Sequence, residues 1–336
     1  MKKTIIASAV AATFAAPVAF ADVTISGQIN QEFISTGSAD LNSGNNTDLV
    51  FSGSEDLGNG MKAFWKIHRY FDDQDTASSV TAELDSTATS GTAGVATAYS
   101  LASDSAHTHS VSGTVTDGTS TGTGASSMGS AADQIVGLSG DFGSIQVGRF
   151  EPYTEASIAS VANIDASEDL DIEDALTTAN TGRKDGGVAY TSPNFNGVTV
   201  GIQGFTEAGA TGEDFGSTTV WAQYSNGGLT VRAASEDNGS GNTDMDSLAA
   251  IYKMDGLEVR LVATDDGTNT NQFYGASYTM GANKIAAGKV SSDATGSDDS
   301  ILSLSHSLSK STSVYVVQKN DDNGDNSTLV GMKHSF

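Results

Sequence analysis

The stretch "FEPYTEASIASVANIDASEDLDIEDALTTANTG" holds Glu151, Glu155, Asp165, Glu168, Asp169, Asp171, Glu173 and Asp174, with no basic residue before Arg183. Eight carboxylates at this density can form a solvated acidic surface, as charge runs commonly do. If walls confine them, they become a ring that focuses the field and concentrates cations. "IDASEDLDIEDAL" could hold a short helix, with its acids early, where the helix dipole favours them. Nucleophilic catalysis is a poorer fit, because it needs a nucleophile beside an oriented histidine base. His68, His107, His109, His306 and His334 stand in no recognisable catalytic motif, so no enzyme is expected. His107 and His109 in "AHTHS" would make a poor two-ligand metal site. The acidic runs "DDNGDN" (321–326) and "EDNGSGNTD" (236–244) lack the full spacing of a calcium loop. No cofactor or dedicated metal site is therefore expected; calcium could bind the acidic loops only loosely.

The elements that must carry these charges read almost entirely as strands. Side chains alternate between apolar and polar, while apolar residues at helical spacing are scarce. Val23, Ile25, Gly27, Ile29 and Gln31 line one face near the start, with Thr24, Ser26, Gln28 and Asn30 on the other. Short turns rich in Asn-Gly, Asp-Gly or Gly-Gly lead into new strands: "EDLGNG", "GDFG", "NFNG", "SNGG", "MDG", "MGAN" and "LSKS". Between them lie longer loops rich in Asp, Asn, Ser, Thr and Gly. Seven short turns alternating with eight long loops join sixteen strands, with turns and loops at opposite ends.

Composition narrows the class. The formal net charge is −25, so binding to nucleic acid phosphates is excluded. With no cysteine, rigidity must come from backbone pairing and packing. Residues 1–21, with Lys2 and Lys3, an apolar stretch and Ala19-Phe20-Ala21, read as an export signal cleaved before Asp22. Tyr190, Tyr224, Tyr252 and Tyr278 fall where strands meet short turns, as rings do at a membrane interface. Glu258 and Arg260 sit on the polar face of "LEVRLVA", where a dry core would be ruinous and a wet lumen costs little. A closed, even-stranded barrel with an apolar outside and a polar inside satisfies both, and it leaves no open edge in lipid. The chain ends on "STLVGMKHSF", which would zip against the first strand and put Phe336 on the lipid face.

"FSGSEDLGNGMKAFWKIH", "IVGLSGDFGSIQVGR", "GGVAYTSPNFNGVTVGIQGF" and the terminal "VGMKHSF" resemble general diffusion porins of Gram-negative bacteria, most closely the neisserial and comamonad type. The resemblance implies an all-β transmembrane barrel of sixteen antiparallel strands in the cell outer membrane, with short periplasmic turns and long extracellular loops. It implies a homotrimer among lipid and lipopolysaccharide, passing ions and small hydrophilic solutes. Phe336 would be read by the outer-membrane assembly machinery. The third extracellular loop, about 150–185 here, would fold into the lumen and make the eight carboxylates the pore constriction. Basic residues on the wall opposite would face it: Lys62, Lys66 and His68, inward by alternation, with Arg149, Arg183, Arg232 and Arg260. The local excess of carboxylates predicts a cation preference. The second loop, about 73–132, is longer than this type carries and has no Lys or Arg. A barrel whose long loops act mainly as an adhesin is the alternative reading.

Overall fold

The computed structural model describes residues 22–71, 130–165, 167, 170, 172–176, 182–206, 215–239 and 242–336. The export segment at 1–21 and most of the second loop, with His107 and His109, lie outside these residues.

Alternation becomes sixteen strands. β1 (Asp22–Thr36), β2 (Asn42–Gly58), β3 (Met61–Tyr70), β4 (Ser130–Gly140) and β5 (Gly143–Phe150) lead to the inserted loop. After it come β6 (Lys184–Thr191), β7 (Val198–Phe205), β8 (Ser217–Asn226), β9 (Leu229–Asp237), β10 (Met245–Met254) and β11 (Leu257–Asp265). The last five are β12 (Thr270–Met280), β13 (Asn283–Ser292), β14 (Ser300–Ser307), β15 (Thr312–Asn320) and β16 (Ser327–Ser335). Each strand pairs antiparallel with its sequence neighbours, and β16 pairs with β1, so the sheet closes. The Phe336 N–H donates to the Gly27 carbonyl at 3.0 Å, and the Gly27 N–H returns a bond at 3.1 Å. The chain's last residue is thus part of the seam.

The seven short turns all join strands at one end. Asn59, Asn196 and Asp255 adopt positive φ there, the conformation that hairpin turns demand. Leu248, Leu261, Leu302, Leu304, Val330 and Met332 lie on the exposed outer face. Tyr190, Tyr224, Tyr252 and Tyr278 are also exposed, near the short turns, as a girdle requires. Among the described residues no helix is long and apolar enough to cross a membrane; the strands carry the apolar face. β3 ends at Tyr70 and β4 begins at Ser130.

Two features depart from the sequence expectation. Among the described residues, the α-helix lies upstream of "IDASEDLDIEDAL", as α1 (Tyr153–Ala162). Ile158, Val161 and Ala162 there follow helical spacing and are fully buried, whereas the described part of the acidic run includes a 3-10 turn, Glu173–Leu176. Burial of an apolar stripe stabilises a short helix more than acids near its dipole do. The lumen is also not uniformly polar. Inward residues of β10 to β16, among them Ala249, Val262, Phe273, Val290, Val317 and Leu329, form one core with Ile158, Ile164, Ile172 and Leu176 of the loop. Each such side chain, fully buried, contributes about 1.5–3 kcal/mol. The loop therefore packs along half of the wall as a second layer.

The constriction loop and its anchors

The described residues of the loop between β5 and β6 pack against inward wall side chains, several of which bond the loop's backbone groups. A helix leaves its first N–H and last C=O groups without internal partners. The Tyr153 N–H at the start of α1 donates to Gln203 Oε1 at 2.7 Å. At the other end, Arg260 Nη1 donates to the carbonyls of Asn163 at 2.7 Å and Val161 at 3.3 Å. Lys284 Nζ donates to the Ile164 carbonyl at 2.7 Å. Two cations thus sit where the α1 dipole is negative. Arg232 reaches Ser160 Oγ, and its Nε donates to Gln223 Oε1 at 2.9 Å. Tyr153 stacks on Trp221 with ring centroids 4.0 Å apart. Gly201, opposite Trp221 in the register, makes room for that ring, since a Cβ there would fall 2.4 Å from it.

A buried polar knot fixes the first turn of α1. Lys184 Nζ donates to Glu236 Oε1 at 2.6 Å, Asn238 Oδ1 at 2.7 Å and Ser217 Oγ at 3.0 Å. Glu236 Oε2 accepts from the Thr154 hydroxyl. Both charges are almost fully buried, so each depends on the other for compensation.

At the neck of the loop the charges converge. Asp133 of β4 accepts from Lys66 at 2.5 Å and from Arg183 Nε at 2.9 Å. His68 stands 4.0 Å from Asp133 and 3.9 Å from Asp48, and the Arg183 guanidinium lies over the Tyr70 ring. Glu155 accepts from the backbone N–H of Gly182, tying the end of the loop to its start. Burial pushes the Glu151 carboxyl up to about 7, with Glu155 adding to the rise and Arg183 opposing it. Burial also raises Glu155, against the Gly182 N–H and Arg183.

The sequence-derived residues divide accordingly. Lys66, His68 and Arg183 gather around Asp133, and Arg183 also acts on Glu151 and Glu155. Asp165 follows α1, and Glu173 lies in the 3-10 turn; Glu168, Asp169, Asp171 and the side chain of Asp174 lie outside what is described. Lys62 points inward but at the short-turn end, opposite Asp56 and Ser139 in the register. Three assignments require correction. Arg232 and Arg260 do not face the loop across an aperture; they belong to the wall on which it rests. Arg149 shares the exposed outward face of Ile145 and Val147 and pairs with Asp185 at 3.1 Å, at the rim and not in the lumen. Its position after those two residues already placed it there by alternation.

Gln203, Lys184, Glu236 and Lys284 were missed, because their partners lie 50 or more residues away in sequence. The buried wall did leave a signal. β10 reads "SLAAIYKM" and β15 "TSVYVVQK", apolar on both faces, as strands covered on both sides are.

A closed sixteen-stranded barrel, apolar outside and with a charged loop folded inside, defines a channel-forming β-barrel of the outer membrane. Residues 7–326 match the family model for Gram-negative porins, and the chain belongs to that family, as an outer-membrane diffusion channel. Solved structures agree on the fold. A mutant of the Rh. blastica porin matches at 13% identity with a TM-score of 0.65, covering 94% of this chain and 100% of that chain. The anion-selective porin from Comamonas acidovorans matches at 18% identity with a TM-score of 0.60, with the same coverage. No curated protein matches the chain at the level of sequence.

Proposed function

We propose that the barrel is a general diffusion channel for ions and small hydrophilic solutes that prefers cations, in contrast to the anion-selective Comamonas protein. The observation that carries this reading is how the cations are spent. Arg260 is committed to two loop carbonyls and Glu258, and Lys284 to a third carbonyl, on the wall behind the loop. Lys66 and Arg183 are both held by Asp133. Glu151 and Glu155 are left on the neck, with an acidic loop continuing beyond them. Confined carboxylates of this kind raise the local concentration of cations.

The same reading includes export by the segment at 1–21, assembly as a homotrimer among lipid and lipopolysaccharide, and recognition of Phe336 by the assembly machinery. Its support is the family and the placement of Phe336, whose ring lies over Gly27 on the lipid face. Planar-bilayer recording of the purified protein tests the channel. Ion-conducting steps that occur in coupled threes support the trimer, and single uncoupled steps argue against it.

A further inference from the structure

A cavity of about 420 Å³ lies at the long-loop end of the barrel, apart from the neck of the constriction loop. Ile172 and Ala175 of the loop give it an apolar side. The loop between β13 and β14 contributes Asp299, and β15 with the loop after it contributes Lys319, Asp321 and Asn323. Asp299 is only 7% exposed, although it lines the cavity. Its Oδ1 accepts from the Asp322 N–H at 3.2 Å. Asn323 Nδ2 donates to the carbonyls of Gly296 at 3.3 Å and Thr295 at 3.4 Å, lacing the two loops together. Asp321 Oδ1 accepts from the Asn323 N–H at 3.0 Å, which fixes that carboxylate as well. The polar rim is therefore held in place before any ligand arrives, which lowers the ordering cost of binding.

The chemistry of the lining selects the ligand. Two carboxylates suit an ammonium group, Lys319 suits a carboxylate, and the apolar side suits a short aliphatic stem. Among the described residues, no group of three or more acidic or histidine side chains could hold a metal ion. The volume is in the range of small-molecule sites, about 300–1,000 Å³. We propose that this cavity is a subsite for free amino acids, which binds them weakly at the outer mouth and hands them to the constriction. Weak binding at a mouth raises flux from dilute solution, provided the solute can leave again. The proposal rests on the channel reading for its role, but not for its test.

Binding is read by saturation-transfer NMR on the detergent-solubilised full barrel with lysine as the probe and sorbitol as a neutral control of similar size. Lysine signals are expected to lose intensity in a saturable way, and sorbitol signals are not. The double variant Asp299→Asn with Asp321→Asn is expected to weaken lysine binding at least tenfold. Thr295→Trp, which fills the cavity without removing a charge, is expected to do the same and guards against misfolding in the first variant. Equal transfer to sorbitol, no transfer to lysine, or lysine binding unchanged in both variants overturns the proposal. Since the readout is binding and not current, these results are separate from whether the barrel conducts.

Discussion

At the scale of single residues, Glu151 is the group whose state sets the charge of the neck. Its carboxyl is pushed up to about 7 by burial, then by Glu155, against the pull of Arg183. A carboxyl raised above its unfolded value is neutral below the folded pKa and strains the folded state above it. As pH falls from 8 to 6, the neck therefore loses a negative charge and the channel should lose part of its cation preference. A zero-current potential measured across that range should shift with a midpoint near 7. Glu151→Gln should abolish the shift, and a wild-type potential that is flat down to pH 5.5 contradicts the assignment. Lys184 makes the contrasting case. Removing one partner of a buried ion pair costs about 3–5 kcal/mol, so Lys184→Ala should lower resistance to denaturant in detergent by that order. Unchanged unfolding would show that Glu236 finds another partner.

At the scale of elements, the loop is held by its helix ends and by an apolar underside. Arg260→Ala with Lys284→Ala strips the donors from the C-terminal carbonyls of α1, each charged hydrogen bond contributing about 1.5–3 kcal/mol. The expected result is a larger and noisier single-channel current as the loop lifts from the wall. A current of unchanged size and noise would mean the apolar core alone seats the loop. Gly201→Val should act at the other end, because the new side chain collides with Trp221 and displaces the Tyr153 stack. Quenching of tryptophan fluorescence by iodide should rise in that variant if Trp221 is uncovered. Sequence revealed some elements better than others for a physical reason. Strand and turn positions depend on neighbours in the chain, so "GNG" and "MDG" marked hairpins that the structure contains. The helix position depended on what covers Ile158 and Val161, which are wall residues from distant strands. The acids were visible as acids, but which cations they meet is decided by barrel register.

At the scale of the whole molecule, closure of the sheet engages Phe336. The Phe336 main chain pairs with Gly27, and its side chain lies on the outer face where an edge strand would otherwise be exposed. Deleting Phe336 removes two seam bonds and an apolar ring, and should cut the yield of barrel in the outer membrane severalfold. An undiminished yield in membrane fractions would contradict that role. The apolar residues of the loop pack against β10 to β16, whereas Lys66 and Arg183 meet Asp133 of β4 on another part of the wall.

The zero-current potential across a bilayer containing the purified protein, under a tenfold KCl gradient at pH 8, tests the account most directly. The account predicts an open aqueous current whose dilute side becomes positive, because potassium crosses more readily than chloride. A dilute side that becomes negative, or a membrane that stays electrically silent, would contradict it.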